Sequence, residues 1–297
     1  MDAAYNAPME TLAASLRQRL EGDVIAAPGA WNGLVARAIA RAGFEACYIS
    51  GGATANACGL PDIGLVPLDE MCVQIHHVVE GCGLPTIVDA DTGYGDADMT
   101  AKTCRDYIAA GAAAMHLEDQ VFPKRCGHLD GKELVSTEAM CEKIQAAAEA
   151  KTDENFVLIA RTDARGVEDM DAALQRGCAY REAGADMIFP ESLRSPEEFA
   201  TFAQGCPGLL LANMTEFGKT PHIPLHAFGA MGYDLVIYPV TTQRIAMRAV
   251  ESALEALRQS GTAEGLLPQM QTRAELYDLL DYEPSAQWTP APASPRA

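Results

Sequence analysis

Three cationic side chains and an imidazole crowd around one thiol in the run Lys124-Arg125-Cys126-Gly127-His128-Leu129-Asp130-Gly131-Lys132. Positive charge lowers a thiol pKa, so Cys126 is expected closer to its thiolate than an ordinary cysteine. Gly127 and Gly131 make the run pliable. Charge, thiol and hinge together describe a lid that closes on an anionic substrate; a solvated basic loop with a chance cysteine is the plainer reading. A second set of residues is acidic: Asp89, Asp91, Glu118, Asp119, Asp163 and Glu191. Brought together, such carboxylates repel one another unless a cation joins them. Oxygen-only ligands select a hard ion, Mg2+ or Mn2+. Asp89 and Asp91, two apart, share a face if their strand stays regular. A lone Asp at a strand end serves equally well as a helix cap.

The elements that position these groups show a strand–helix rhythm. Short apolar runs predict strands at Val24–Ala27, Ala46–Ser50, Thr86–Asp91, Ala113–Asp119, Phe156–Thr162, Met187–Glu191, Leu209–Met214 and Leu235–Pro239. Helical patterns alternate with them, from Trp31–Ala42 to Thr241–Gln259. Ala42-Gly43, Ala110-Gly111 and Ala183-Gly184 are helix stops directly before the next strand. Strand–helix alternation implies a parallel sheet covered on both faces, and eight units imply an α/β fold of the (β/α)8 TIM-barrel type. A doubly wound open sheet is the competing fold, but Pro28-Gly-Ala-Trp-Asn-Gly33 is not its glycine fingerprint. Barrel chemistry sits at the C-terminal strand ends. Ser50-Gly51-Gly52, Asp89, Asp91, Glu118, Arg161, Glu191, Asn213 and Thr215 fall there. Gly51-Gly52 reads as a backbone donor site or a plain tight turn. Met9–Leu20 and Ala263–Tyr282 read as additional helices. Residues 1–297 are expected to form one barrel domain, with a Pro/Ala/Ser-rich tail at 284–297 expected to be disordered.

The chain has 297 residues and a formal net charge of -19. That charge argues against nucleic acid as a partner. No apolar run approaches the ~20 residues of a membrane-spanning helix. Nine cysteines are scattered without a pairing pattern, and no secretory signal is apparent, so reduced thiols in a cytoplasm are expected. Cys126-x-His128 lacks the second pair that a zinc site needs.

Several stretches carry a family resemblance: Tyr48-Ile-Ser-Gly-Gly52, Gly59-Leu-Pro-Asp62, Val88-Asp-Ala-Asp-Thr-Gly-Tyr-Gly95, Leu117-Glu-Asp-Gln120, Lys124-Arg-Cys-Gly-His128, Ile159-Ala-Arg-Thr-Asp163, Phe189-Pro-Glu191, Asn213-Met-Thr-Glu-Phe-Gly218 and Met270-Gln-Thr-Arg-Ala-Glu-Leu-Tyr277. The chain resembles the isocitrate lyase / phosphoenolpyruvate mutase superfamily, on its carbon–carbon lyase branch and nearest the 2-methylisocitrate lyases. The resemblance implies Mg2+ held by Asp89 and Asp91, with Asp62 and Glu118 nearby through water. It implies a homotetramer that exchanges its last helix between subunits. It also implies cleavage of 2-methylisocitrate, a tricarboxylate, to pyruvate and succinate in propionate breakdown. The lid reads Leu129-Asp130-Gly131 where the common bacterial methylisocitrate lyases read Arg-Pro-Asn. An alkylmalate lyase such as a 2,3-dimethylmalate lyase, an isocitrate lyase or an oxaloacetate hydrolase therefore stays in view.

On that reading, Cys126 is the general acid that protonates the carbanion left by C–C cleavage. Arg161, Lys124 and His128 offset the carbanion's charge. Ser50, Gly51, Gly52, Gly127, Glu191, Asn213, Thr215 and Arg244 bind substrate carboxylates and hydroxyls. For the general base, Tyr48 stands beside Glu118, Asp62 and Glu191.

Overall fold

The computed structural model describes residues 11–293. Eight strands, β1 Ile25–Pro28, β2 Cys47–Ile49, β3 Thr86–Asp89, β4 Ala114–Glu118, β5 Val157–Thr162, β6 Met187–Pro190, β7 Leu209–Asn213 and β8 Leu235–Tyr238, pair in parallel around one sheet. β1 joins β8 in register Ile25↔Leu235. At the remaining edge a single parallel bridge, Gly29↔Tyr48, meets β2, giving a nearly closed barrel. The helices are α1 Leu12–Arg19, α2 Gly33–Arg41, α3 Gly51–Ala57, α4 Leu68–Cys82, α5 Ala97–Ala109, α6 Thr137–Glu149, α7 Ala164–Val167, α8 Met170–Glu182, α9 Pro196–Gly205, α10 Leu225–Ala230, α11 Thr241–Ser260 and α12 Arg273–Leu279.

Side-chain alternation sorts the strands into two buried layers. Ile49, Val88, Met115, Leu117, Leu158 and Ile188 face the helices. Tyr48, Ile87, Ala114, Ile159, Phe189 and Ile237 belong to a second core with Leu16 and Leu20 at the end of α1. Five columns of this second core turn polar as their strands end: Ile87 then Asp89, Ala114 then His116 and Glu118, Ile159 then Arg161 and Asp163, Phe189 then Glu191, Leu211 then Asn213. One parity thus builds the core below and delivers the polar groups above.

Several local expectations shift. The helix expected at Met9–Leu20 starts at Leu12, where Thr11 caps it; Met9 and Glu10 lie outside the described residues. Gly51-Gly52 is neither strand end nor tight turn but the first turn of α3, capped by the Ser50 hydroxyl. The helix expected over Ala263–Tyr282 is broken into a 3-10 turn at Glu264–Gln269 and α12, because Pro268 removes a donor and Thr272 starts a new capping box with Glu275. The tail from 284 carries no helix or strand as far as Ala293, yet Arg37 donates to Ala291 O and Ala293 N donates to Gly81 O. Residues 294–297 lie outside the described residues.

α11 departs from the barrel pattern. Of its 20 residues only Gln243 is buried, and Ile245, Val250, Leu254 and Leu257 are exposed. An apolar groove of about 530 Å³, lined by Ala26, Pro28, Val35, Ile39, Phe44 and Leu225, lies where an eighth outer helix would pack.

At the base of the sheet, Asp186 accepts from Arg17 Nη2 at 2.8 Å and Leu158 N at 2.8 Å, and it pairs with Lys151. Burial pushes its carboxyl up, but the bonds from Arg17, Lys151 and Leu158 outweigh burial and hold it below its ordinary value. A depressed carboxylate stabilises the fold fully above the ordinary Asp value of about 4 and loses that contribution as pH falls through the lower folded value. Asp186→Asn is expected to cost about 2 kcal/mol at pH 7. In urea unfolding the deficit should shrink steadily below about pH 4. A deficit unchanged at pH 3 would contradict this origin.

Candidate active site

A cavity of about 190 Å³ opens at the C-terminal strand ends. Tyr48, Ser50, Gly52, Asp62, Asp89, Lys124, Cys126, Gly127, His128, Arg161, Glu191, Asn213, Thr215 and Arg244 all line it. Gly51, Asp91 and Glu118 lie just behind the lining. Nearly every residue singled out by type and position therefore meets at one place.

Asp89 and Asp91 do not share a regular strand. β3 ends at Asp89, and Asp91 has φ +46°, a left-handed turn that Asp tolerates. That turn still brings the carboxylates together: a Cβ built on Gly51 would lie 3.0 Å from both Asp89 Oδ2 and Asp91 Oδ1. Any side chain there would press on both carboxylates. Gly51 N donates to Asp89 Oδ2 at 3.0 Å, and Asp91 N to Asp89 Oδ1 at 3.0 Å. Lys124 reaches Asp91 Oδ1 at 2.8 Å and also pairs with Asp62. Burial raises the Asp91 carboxyl to about 6, against the pull of Lys124.

The lid runs from Lys124 to Lys132 and is pinned at both ends. Gln120 exchanges two bonds with the Arg125 backbone, at 2.8 and 2.9 Å, and Val121 N donates to Glu133 O. Gly127 lies so close to the barrel that a Cβ would fall 2.3 Å from Arg161 Nη2 and 2.4 Å from Glu191 Oε1. His128 Nδ1 accepts from Lys219 N at 2.9 Å, which puts the proton of the neutral ring on Nε2, 3.0 Å from Glu191 Oε1. Leu129, Asp130 and Gly131 are not in the cavity lining, and Asp130 pairs outward with Lys219 at 2.5 Å.

The expected electrostatics of Cys126 is reversed. Burial raises its thiol, with Asp62 and Glu191 adding to the rise. The cations expected to lower it are engaged elsewhere: Lys124 by Asp62 and Asp91, Lys132 by Asp163, and Arg125 by the Asp130 carbonyl. A neutral thiol is the result, which suits an acid and not a nucleophile.

Among the base candidates, burial and then Asp89 push the Tyr48 phenol well above its ordinary value. Its Oη lies 2.8 Å from His116 Nε2. Burial lowers His116 to about 4, so the ring is neutral at pH 7. Glu118 is raised by burial, and Arg161 Nη1 stands 2.9 Å from its Oε2. Glu191 is held well below the carboxylate range, burial being outweighed by Arg161 and His128. Arg244 is half-exposed, bonded to Glu216 and 5.3 Å from the Phe217 ring.

The family model for phosphoenolpyruvate phosphomutase matches residues 14–258. The chain belongs to the phosphoenolpyruvate mutase family. Within it the chain is similar to a probable 2-methylisocitrate lyase of Corynebacterium glutamicum, 52% identical over 86% of this chain and 84% of the relative. It is 47% identical to a 2-methylisocitrate lyase of Aeropyrum pernix, over 94% of this chain and 90% of that one. Among solved structures, a 2,3-dimethylmalate lyase superposes with TM-score 0.87 at 38% identity, covering 92% of both chains. A phosphonopyruvate hydrolase solved with oxalate and Mg++ superposes with TM-score 0.82 at 30% identity, covering 91% of this chain and 94% of that one.

Members of the phosphoenolpyruvate mutase family are metal-dependent, and the site's charge fits a cation. Asp62, Asp89, Asp91, Glu118, Asp163 and Glu191 outnumber Lys124, Lys132 and Arg161. An anionic substrate entering that excess needs further positive charge. Asp91 Oδ1 and both Glu118 carboxylate oxygens are buried without a well-aligned hydrogen bond. The donors are all oxygen, as Mg2+ prefers. Among the described residues no three acidic, His or Cys side chains are arranged as a complete ligand set, so Asp89 and Asp91 would be joined by water and substrate oxygens.

The sequence reading passed over three residues of this site. His116 is hidden inside an apolar strand, and only the parity that places it one step below Glu118 marks it. Asn56, in the last turn of α3, lines the cavity from its exposed side. Ser192 donates 2.8 Å to Gly127 O from a left-handed backbone, φ +62°.

Proposed function

We propose that this protein cleaves 2-methylisocitrate to pyruvate and succinate, using Mg2+, with Mn2+ as the substitute, at Asp89 and Asp91. The observation that carries the reading is that Cys126, Gly127 and His128 line one cavity with Asp89, Arg161 and Asn213. That combination joins a cation site to a sequestered proton donor. The likeness to 2-methylisocitrate lyases over most of the chain supports the substrate.

The cation, when bound, polarises the hydroxyl and carboxylate of the half that becomes the 2-oxo acid. Tyr48 takes the hydroxyl proton. It acts as its phenolate, the form that Arg161 and Lys124 favour against burial and that a bound cation would favour further, and its Oη lies 2.8 Å from the neutral His116 ring. Asp62 is engaged by Lys124, and Glu191 is held by Arg161, His128 and Asn213. The C–C bond then breaks, its electron pair staying on the succinate half. Arg161 and His128 offset the charge that grows on that half, and Cys126 delivers its thiol proton to the carbon. Ser50, Gly52, Asn213, Thr215 and Arg244 hold the carboxylates. Gly51 keeps the space at Asp89 clear, and Glu118 orients Arg161.

A 2,3-dimethylmalate lyase is the second reading, favoured by the structural likeness to that enzyme. Leu129-Asp130-Gly131 does not decide between them, because those side chains stand outside the cavity. The test is 2-oxo acid release with Mg2+ from 2-methylisocitrate, isocitrate and 2,3-dimethylmalate, with oxaloacetate loss followed alongside. The highest kcat/KM is expected for 2-methylisocitrate. Preference for any other substrate would replace the proposal.

We also propose that the protein is a homotetramer in which α11, the last helix of the barrel, is exchanged with a neighbouring subunit. The exposed apolar face of α11 and the apolar groove on the barrel support this. Among the described residues no helix is long and apolar enough to cross a membrane. Nine free cysteines fit a reducing compartment such as the cytoplasm.

A further inference from the structure

Lys132, on the returning arm of the lid, is buried to 1% exposure. A buried ammonium is costly unless fully partnered. Its partners are the Gly127 carbonyl on the outgoing arm and Asp163 Oδ1 at 2.7 Å, at the end of β5. One side chain therefore ties the lid's two arms together and moors both to the barrel. The mooring carboxylate is shared: Asp163 also binds Arg161, Oδ2 to Nε at 3.0 Å and Oδ1 to Nη2 at 3.2 Å. Asp163 is itself braced, since its backbone N donates 2.9 Å to Asp119 Oδ1. The Gly127 carbonyl takes a second bond, from Ser192 Oγ at 2.8 Å. Ser192 makes it from a left-handed backbone that costs a non-glycine residue roughly 1–2 kcal/mol. Gly127 sits between Cys126 and His128, so whatever fixes its carbonyl fixes both neighbours.

We propose that Lys132 is the latch of the lid: with Ser192 it holds the Gly127 carbonyl down, placing Cys126 and His128 over the cavity on the same carboxylate that orients Arg161. Lys132 is a positioning residue. It does not line the cavity, and it acts through Gly127 and Asp163. Closure of the lid and orientation of Arg161 are coupled because both cations share Asp163. The inference rests on the lyase reading only for its effect on turnover; the mooring itself does not depend on the substrate.

The test reads the lid and the chemistry separately in the intact chain. Lys132→Met keeps the aliphatic stem and removes the ammonium. Iodoacetamide labelling, resolved by peptide mass, follows Cys126 against exposed Cys58 as internal reference. Cys126 labelling is expected to rise about tenfold, the weight of one lost charged hydrogen bond, with Cys58 unchanged. In the same variant kcat should fall about 100-fold while KM moves little, because the acid is misplaced and not the substrate. Folded Lys132→Met with wild-type Cys126 labelling overturns the latch, even if turnover is lost. If Lys132→Met fails to fold, Ser192→Ala takes its place and should shift labelling the same way by a smaller factor; no shift overturns the proposal. A wild-type protein that cleaves none of the substrates overturns the lyase reading, and the labelling result still decides the latch.

Discussion

Cys126→Ser is expected to lower kcat by about three orders of magnitude, within the range that a positioned acid contributes. The substitution changes one atom and preserves packing, so folding and cation binding should be those of the parent chain. What it removes is a proton donor of suitable strength. Burial raises the Cys126 thiol, so it is neutral and available through the working pH range. A serine hydroxyl holds its proton far more tightly and cannot release it to a carbanion on the same timescale. The thiol must be protonated to act, so kcat should decline only as pH rises through its elevated pKa. That alkaline limb should disappear in Cys126→Ser. A variant that keeps most of its activity, or keeps the same limb, would remove Cys126 from the chemistry.

Asp89→Asn should abolish Mg2+ dependence and activity together, with kcat falling by about three orders of magnitude or more, equivalent to several kcal/mol of lost stabilisation of charge in the transition state. The amide keeps the volume, and its carbonyl oxygen can still accept from one of the Gly51 and Asp91 N–H groups that now bond Asp89. Loss of function would then reflect charge and not collapse. Calorimetric titration with Mg2+ alone gives the second readout: heat of binding in the parent chain and none in the variant. Full activity of the parent in the presence of a chelator would sink the cation site outright.

The barrel was legible because its signal is periodic and repeated. Glycine stops at Gly43, Gly111 and Gly184, each followed by an apolar run, mark the strand–helix alternation. The alternation of inward and outward residues then places Asp89, Glu118, Arg161, Glu191 and Asn213 at one end of the barrel. Local chemistry decides those matters, and local chemistry is written in the chain. Elements set by competition between local signals were harder to read. Gly51-Gly52 looks like a turn by propensity, but the Ser50 cap starts a helix there. Pro268 splits what composition alone would make continuous.

By itself the sequence determined the fold class, the end of the barrel where the chemistry lies, and the residue types that meet there, because side-chain parity and strand order are local and repeated. Only the tertiary structure decided how charge is distributed among those residues. Lys124, Arg125 and Lys132 read as a field around Cys126, yet the two lysines are claimed by carboxylates from distant parts of the chain: Asp62 and Asp91, and Asp163. Burial then reverses the direction of the thiol's shift. The stand-off of α11 is likewise tertiary, since its apolar face looks like that of any barrel helix until the groove it fails to cover is seen. Ionisation and docking depend on distances between segments far apart in sequence, and those distances exist only once the chain has folded.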